Sequence, residues 1–278
     1  MLLKTNTDIP IDSIKINFDT EGLWILNIAL AIIMFGVALS IKIEDFKLLI
    51  KKPKILLVGV FSQFFLLPAL TFVAILIIKP HPSFALGMMM IAACPGGNIS
   101  NFFSKMAKGN SALSVSLTAF ATVICLLMTP LNLQFYSGLY EPTNEIIKTV
   151  QLDPIELFKL VLLILGIPIV LGMSLNHYFE EISKKIEVLL KPFSIVVFLA
   201  LIVIAFYDNI DVFLKYIHLV AGLVIFHNIG AYFIGFYTAK TFGLEKKDRK
   251  TICMETGIQN GGLGLLLIFQ FFDGLGGM

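Results

Sequence analysis

Charge is scarce in this chain. Asp, Glu, Lys and Arg make up 14% of its 278 residues, against 57% hydrophobic ones. A soluble domain carries roughly a quarter charged residues, so an ordinary water-facing surface is excluded, and the mean hydropathy of +0.89 belongs to a polytopic membrane protein. The net charge of +2 leaves no footprint for a nucleic-acid partner. Cys94, Cys125 and Cys253 fall in apolar segments at unrelated spacings, without a CxxC pair, which excludes a disulfide framework. There are four histidines. His81 and His177 lie in loops, and His218 and His227 share one span without a further ligand at metal spacing, so polar packing is their expected role. No GxSxG, HExxH, Walker A or dinucleotide fingerprint is present, so no familiar enzyme signature accounts for the chain. Residues 1–20 lack an apolar core and do not read as a cleavable signal peptide.

What the chain has is long apolar runs. A membrane-crossing helix needs about 20 mostly apolar residues. Eight segments qualify: 23–40, 54–78, 84–108, 110–131, 155–176, 192–208, 216–239 and 250–272. The expected organisation is a polar external segment, 1–22, followed by one transmembrane domain, 23–278. Basic residues set its orientation. Lys42, Lys47, Lys51, Lys52, Lys54, Lys105, Lys108, Lys184, Lys185, Lys191, Lys240, Lys246, Lys247, Arg249 and Lys250 all come after odd-numbered spans, and together they are most of the 21 Lys and Arg. The positive-inside rule therefore places the N-terminus outside and these loops in the cytoplasm of a multi-pass cell-membrane protein.

Two spans are broken. The third reads FALGMMMIAACPGGNISNFFSKMAKG, with Pro95, Gly96, Gly97 and Asn98 near its middle; the eighth is interrupted at METGIQNGG. Proline removes a backbone donor, and paired glycines loosen the next turn of helix. Interrupted hydrophobic segments in matching halves are the sequence pointer to a transporter binding site. The breaks fall third of four and fourth of four, which fits five-helix repeats whose first unit lacks its opening helix and whose second lacks its closing one. The stop at DGLGGM reads as a truncation at that last helix.

Around the first break stand Asn98, Ser100 and Asn101. Ser114 and Thr118 come next at i, i+4, so both hydroxyls face one side. Around the second stand Glu255, Thr256, Gln259 and Asn260, and Gln63 is an isolated carboxamide among Phe and Leu. All are oxygen donors, which suits a hard cation rather than a transition metal. Ser114, Thr118 or Gln63 alone could equally bond back to helix carbonyls or glue two helices. Glu255 is different, because an intramembrane acid is a functional-site hypothesis by default.

The stretches CPGGNISNFFSKMAKGNSALSVSLT and METGIQN, with PKILLVGVFSQFFLLP upstream, closely resemble the bile acid:sodium symporter family, from about residue 23 onward. The absent first helix makes the chain look like the nine-helix animal carriers more than the ten-helix bacterial members. The resemblance implies an all-α polytopic membrane protein of inverted five-helix repeats, with core and panel domains and two broken, crossing helices. It implies one Na+ site at Ser100, Asn101, Ser114, Thr118 and Glu255. A second comprises Gln63, Glu255 and Gln259 with backbone oxygens of Thr256 and Ile258. It places substrate at the crossing, near Asn98, the amide of Ile99, and Asn260. The expected function is a sodium-coupled symporter importing an organic anion, bile-acid-like or a small carboxylate, by alternating access with two Na+ and no enzymatic activity. The alternatives are a proton-coupled carrier and a sodium-independent organic anion transporter or channel.

Overall fold

A computed structural model describes residues 20–42, 44, 47, 51–97, 99–150, 154–272 and 274. Asn98 and nearly all of segment 1–22 lie outside that set. Most of the described residues are helical, with no strand among them.

Helix α1 spans Thr20–Ala38. Helix α2 runs from Pro53 to Ile78 in three parts: Pro53–Phe61, a widened π turn at Ser62–Leu66, and Leu67–Ile78. The third span is two helices, α3 (Pro82–Ala93) and α4 (Ile99–Met106). Helix α5, Ser111–Leu139, extends eight residues beyond the end of its expected span and contains Pro130. A short helix, α6, covers Glu141–Val150. It is too polar to be expected as a span, yet Ile146, Ile147 and Val150 pack on the core. Helix α7 joins Pro154–Val161, a second π turn at Leu162–Gly166, and Ile167–Tyr178. Helix α8, Glu180–Asp208, starts well before the expected 192 because its first turns are charged. Helix α9 is Ile210–Thr241, and the eighth span divides into α10 (Lys246–Gly257) and α11 (Gly261–Phe272).

Among the described residues, four helices are individually long and apolar enough to cross a membrane: Pro53–Ile78, Ser111–Leu139, Phe158–Tyr178 and Ile210–Thr241. The broken spans fall below that length because each half stops at the interruption. Large apolar side chains face outward from α2 (Leu57, Phe65, Val73, Ile77) and α9 (Val224, Ile225, Phe226, Phe233). Contiguous exposed apolar surface of this kind is what lipid contact requires. Helices α1, α7 and α8 pack chiefly on one another, while α9 lies along α10 and α5 touches α3, α4 and α10.

Both π turns stand just before a proline, Pro68 and Pro168. A proline ring clashes with the carbonyl four residues back and offers no amide to it. Widening one turn moves that carbonyl aside: Leu67 N donates to Ser62 O and Ile167 N to Leu162 O, five residues apart. The released carbonyl of Phe64 then needs a donor, and Asn132 Nδ2 on α5 supplies one at 2.8 Å. At membrane depth every backbone acceptor must find such a partner. Replacing Asn132 with Leu should therefore cost about 1–2 kcal/mol through the orphaned carbonyl, read as a lowered Tm of the purified protein. An unchanged Tm would show that this carbonyl needs no such donor.

Candidate functional site

The two interruptions meet. Residues 94–97 leave α3 as non-helical chain, residues 258–260 leave α10 likewise, and the two segments run antiparallel. Gly97 N donates to Ile258 O and Asn260 N to Pro95 O, each at 2.8 Å, and Gly96 and Gln259 form an isolated β-bridge. Each unwound segment thus satisfies amides and carbonyls that the other's helix has lost. Glycine is required at the contact. A Cβ on Gly96 would fall 2.9 Å from Gln63 Nε2, 3.0 Å from Glu255 O and 3.1 Å from Glu255 Oε2.

Glu255 sits one turn before the α10 break and is 3% exposed. Three hydroxyls on two other helices are aimed at its carboxylate. Ser100 Oγ on α4 donates to Oε1 at 2.7 Å, Ser114 Oγ on α5 donates to the same oxygen, and Thr118 Oγ1 lies 2.8 Å from Oε2. Thr118 Oγ1 is also 3.2 Å from Asn101 Oδ1, which draws Asn101 into the group. The i, i+4 spacing of Ser114 and Thr118 does what the sequence predicts, presenting both hydroxyls on one face. Among the described residues no Lys, Arg or His forms an ion pair with Glu255.

A second group lies on the α2 side. Gln63, 4% exposed on the π turn, donates from Nε2 to Glu255 O at 3.3 Å. Its neighbour Ser62 shares a 3.0 Å hydrogen bond with Thr256 Oγ1. Gln259 Nε2 donates to Thr256 O at 2.7 Å, which leaves Gln259 Oε1 buried and without a hydrogen-bond partner. A buried acceptor of this kind is costly unless something electropositive reaches it. The carbonyl of Ile258 accepts from Gly97 and keeps a second lone pair.

Near the crossing, Asn260 Oδ1 caps α11 by accepting from Leu263 N at 3.1 Å, so its carboxamide nitrogen is the part left for another role. Ile99 opens α4 with a half-exposed side chain. Asn98 lies outside the described residues. The sequence reading missed Ser62, and also Asn228 on α9, whose Nδ2 donates to Gly257 O at 3.2 Å. Ser62 had one available signal, its place beside Gln63 as a polar pair in an otherwise apolar run. His227 bonds Thr71 Oγ1 across α9 and α2 at 2.8 Å, the polar packing expected of it.

Chemically, the arrangement gathers one carboxylate with hydroxyl, carboxamide and carbonyl oxygens. Hydroxyl protons that now point at Glu255 can rotate away and present lone pairs to an ion in their place.

The model of the sodium bile acid symporter family matches residues 27–216. An uncharacterized sodium-dependent transporter of Bacillus subtilis is 31% identical over 262 residues, covering 93% of this chain and 79% of the relative. A probable chloroplastic sodium/metabolite cotransporter of Arabidopsis thaliana is 28% identical, over 88% of this chain and 59% of its own length. The ileal sodium/bile acid cotransporter of Homo sapiens is 29% identical, over 85% and 66% respectively. The chain therefore spans less than two thirds of these plant and human relatives.

The packing at Gly96 yields a test independent of transport. Gly96→Ala forces apart the Gln63 and Glu255 contacts and should lower Tm by several degrees, about 1–3 kcal/mol of overpacking. Gly138→Ala, with nothing within 4 Å of its Cβ, should leave Tm little changed. Equal Tm values for the two variants would refute the close approach.

Proposed function

The chain belongs to the sodium bile acid symporter family, and on that premise we propose that it imports an organic anion with two sodium ions by alternating access. The observation that carries the reading is the buried Glu255 carboxylate, ringed by neutral oxygen donors and lacking an ion-pair partner among the described residues. A lone charge at that depth costs several kcal/mol. Three hydroxyl dipoles offset part of this, and a cation would supply the rest.

In this reading the first Na+ is held by Ser100, Asn101, Ser114, Thr118 and Glu255. The second is held by Gln63, Glu255 and Gln259, with the backbone oxygens of Thr256 and Ile258. The unpartnered Gln259 Oε1 supports the second position, since it is an oxygen otherwise left without a donor. Substrate would lie at the crossing, against Asn98, the amide of Ile99 at the start of α4, and the Asn260 carboxamide. Helix N-termini carry partial positive charge and favour an anion there. The basic loops would face the cytoplasm of a cell-membrane protein. Inverted repeats would account for two broken spans that cross as a pair.

Two ions serve an energetic need. One charge crossing 100 mV is worth about 2.3 kcal/mol, and a tenfold gradient about 1.4 kcal/mol per ion. Two Na+ with one monovalent anion draw on both, roughly 5 kcal/mol, enough for anion accumulation of several thousandfold. One Na+ would be electroneutral and would support only about tenfold.

Glu255→Gln should abolish sodium-dependent uptake of a labelled anion panel into proteoliposomes while leaving far-UV circular dichroism unchanged. Normal sodium dependence in that variant would end the proposal. Replacing Na+ by choline at fixed pH separates the rivals. Uptake that persists in choline and varies with pH identifies a proton-coupled carrier, and uptake indifferent to both identifies a passive pathway.

A further inference from the structure

Beneath the carboxylate pocket lies a second polar layer, displaced by one helical turn on each of the same three helices. On α10, Thr251 precedes Glu255 by four residues and Asp248 precedes Thr251 by three, so all three share a face. On α4, Ser104 stands four residues after Ser100. On α5, Asn110 caps the helix four residues before Ser114. Asp248, Thr251 and Ser104 are about as deeply buried as Glu255 itself.

Their hydrogen bonds close on one another. Ser104 Oγ and Thr251 Oγ1 are 3.1 Å apart, and Asn110 N donates to Thr251 Oγ1 at 2.8 Å. The Thr251 hydroxyl has Lys247 O and Asn110 O each at 3.2 Å. Asn110 Nδ2 donates to Asp248 Oδ1 at 2.9 Å, while Asn110 Oδ1 accepts from Leu113 N and so caps α5. Lys250 Nζ reaches Ala107 O at 2.7 Å. The turn between α4 and α5 is drawn tightly onto α10. Lys108 takes φ +57°, and a Cβ on Gly109 would sit 2.8 Å from Thr251 Oγ1 and 2.9 Å from Ser104 Oγ. The groups that meet at Gly109 are polar, while Leu113 and Leu117 of α5 pack with Ile252 of α10 in an apolar cluster alongside.

We propose that Thr251, Asp248, Ser104 and Asn110 are positioning residues that set sodium affinity, by fixing the register of α4 and α5 against α10. The proposal rests on the sodium reading of the Glu255 pocket. The physical reason is leverage. Ser100, Ser114 and Thr118 reach Glu255 only as far as their helices carry them, and α4 is only eight residues long. A helix that short does not hold its axis without anchoring. The lower layer pins α4 and the start of α5 to α10 one turn away, so the hydroxyls meet the carboxylate with their positions already set. Outer partners of metal-ligating groups commonly change ion affinity by about 10–100-fold when removed.

Thr251→Val keeps the shape of the side chain and removes its oxygen. In the purified full chain, titrated with NaCl against choline chloride at constant ionic strength, the sodium-induced rise in Tm should need about tenfold more Na+ than in the unaltered protein. Thr251→Ser, which restores the hydroxyl, should return the midpoint to within about twofold. Ser104→Ala, a smaller change that spares Thr251, should shift it several-fold and keeps the test decisive if Thr251→Val does not fold. Midpoints unmoved in Thr251→Val or in Ser104→Ala, with sodium still raising Tm in the unaltered protein, overturn this proposal alone. Equal shifts in Thr251→Val and Thr251→Ser also overturn it, because retaining the hydroxyl would then make no difference. No sodium response in the unaltered protein overturns the proposed function and this proposal with it.

Discussion

Backbone amides at membrane depth have no water to turn to, and the architecture of this molecule is organised by how that constraint is met at two breaks. A helix interrupted in lipid leaves donors and acceptors that would each cost several kcal/mol alone. Here the interruptions are paired, so Pro95, Gly97, Ile258 and Asn260 exchange main-chain hydrogen bonds across the crossing. The pairing brings four helix ends to one place. It also fixes where a side chain one turn earlier, Glu255, must point.

Around that crossing the hydrogen bonds form a connected set rather than isolated pairs. Gln63 and Ser62 tie α2 to α10, Ser100 ties α4, Ser114 and Thr118 tie α5, and Asn228 ties α9. Helices α1, α7 and α8 stand apart from this web and pack chiefly on one another. That group has directional contacts of its own, since Asn176 Nδ2 donates to Ile41 O at 2.9 Å and Ser183 Oγ to Leu39 O at 3.2 Å. A cation joining the set would substitute for hydroxyl protons without requiring new side chains.

Much of this is legible in the sequence, for identifiable reasons. The breaks announce themselves because Pro95-Gly96-Gly97 and Gly257-to-Gly262 are incompatible with uninterrupted helix. Ser114 and Thr118 are placed correctly because helical period alone decides their face. Glu255 stands out because a carboxylate in an apolar run has few bland explanations. Illegible are contacts made between elements distant in sequence. Ser62 meets Thr256 across 194 residues, and Asp248 looks like part of a solvated basic loop when it is buried against Asn110. The two π turns are hidden as well, since Pro68 and Pro168 signal a disturbance without saying whether the helix kinks, breaks or swells. Helix α6 escapes because its composition suits neither water nor lipid fully.

The swollen turns have a bearing on kinship. A widened turn lets a helix carry one extra residue locally, without swinging every downstream side chain about the axis by about a hundred degrees. A related chain without Pro68 or Pro168 would not need the widened turn at that place. When such chains are set side by side, a one-residue gap inside a membrane helix is then the faithful correspondence.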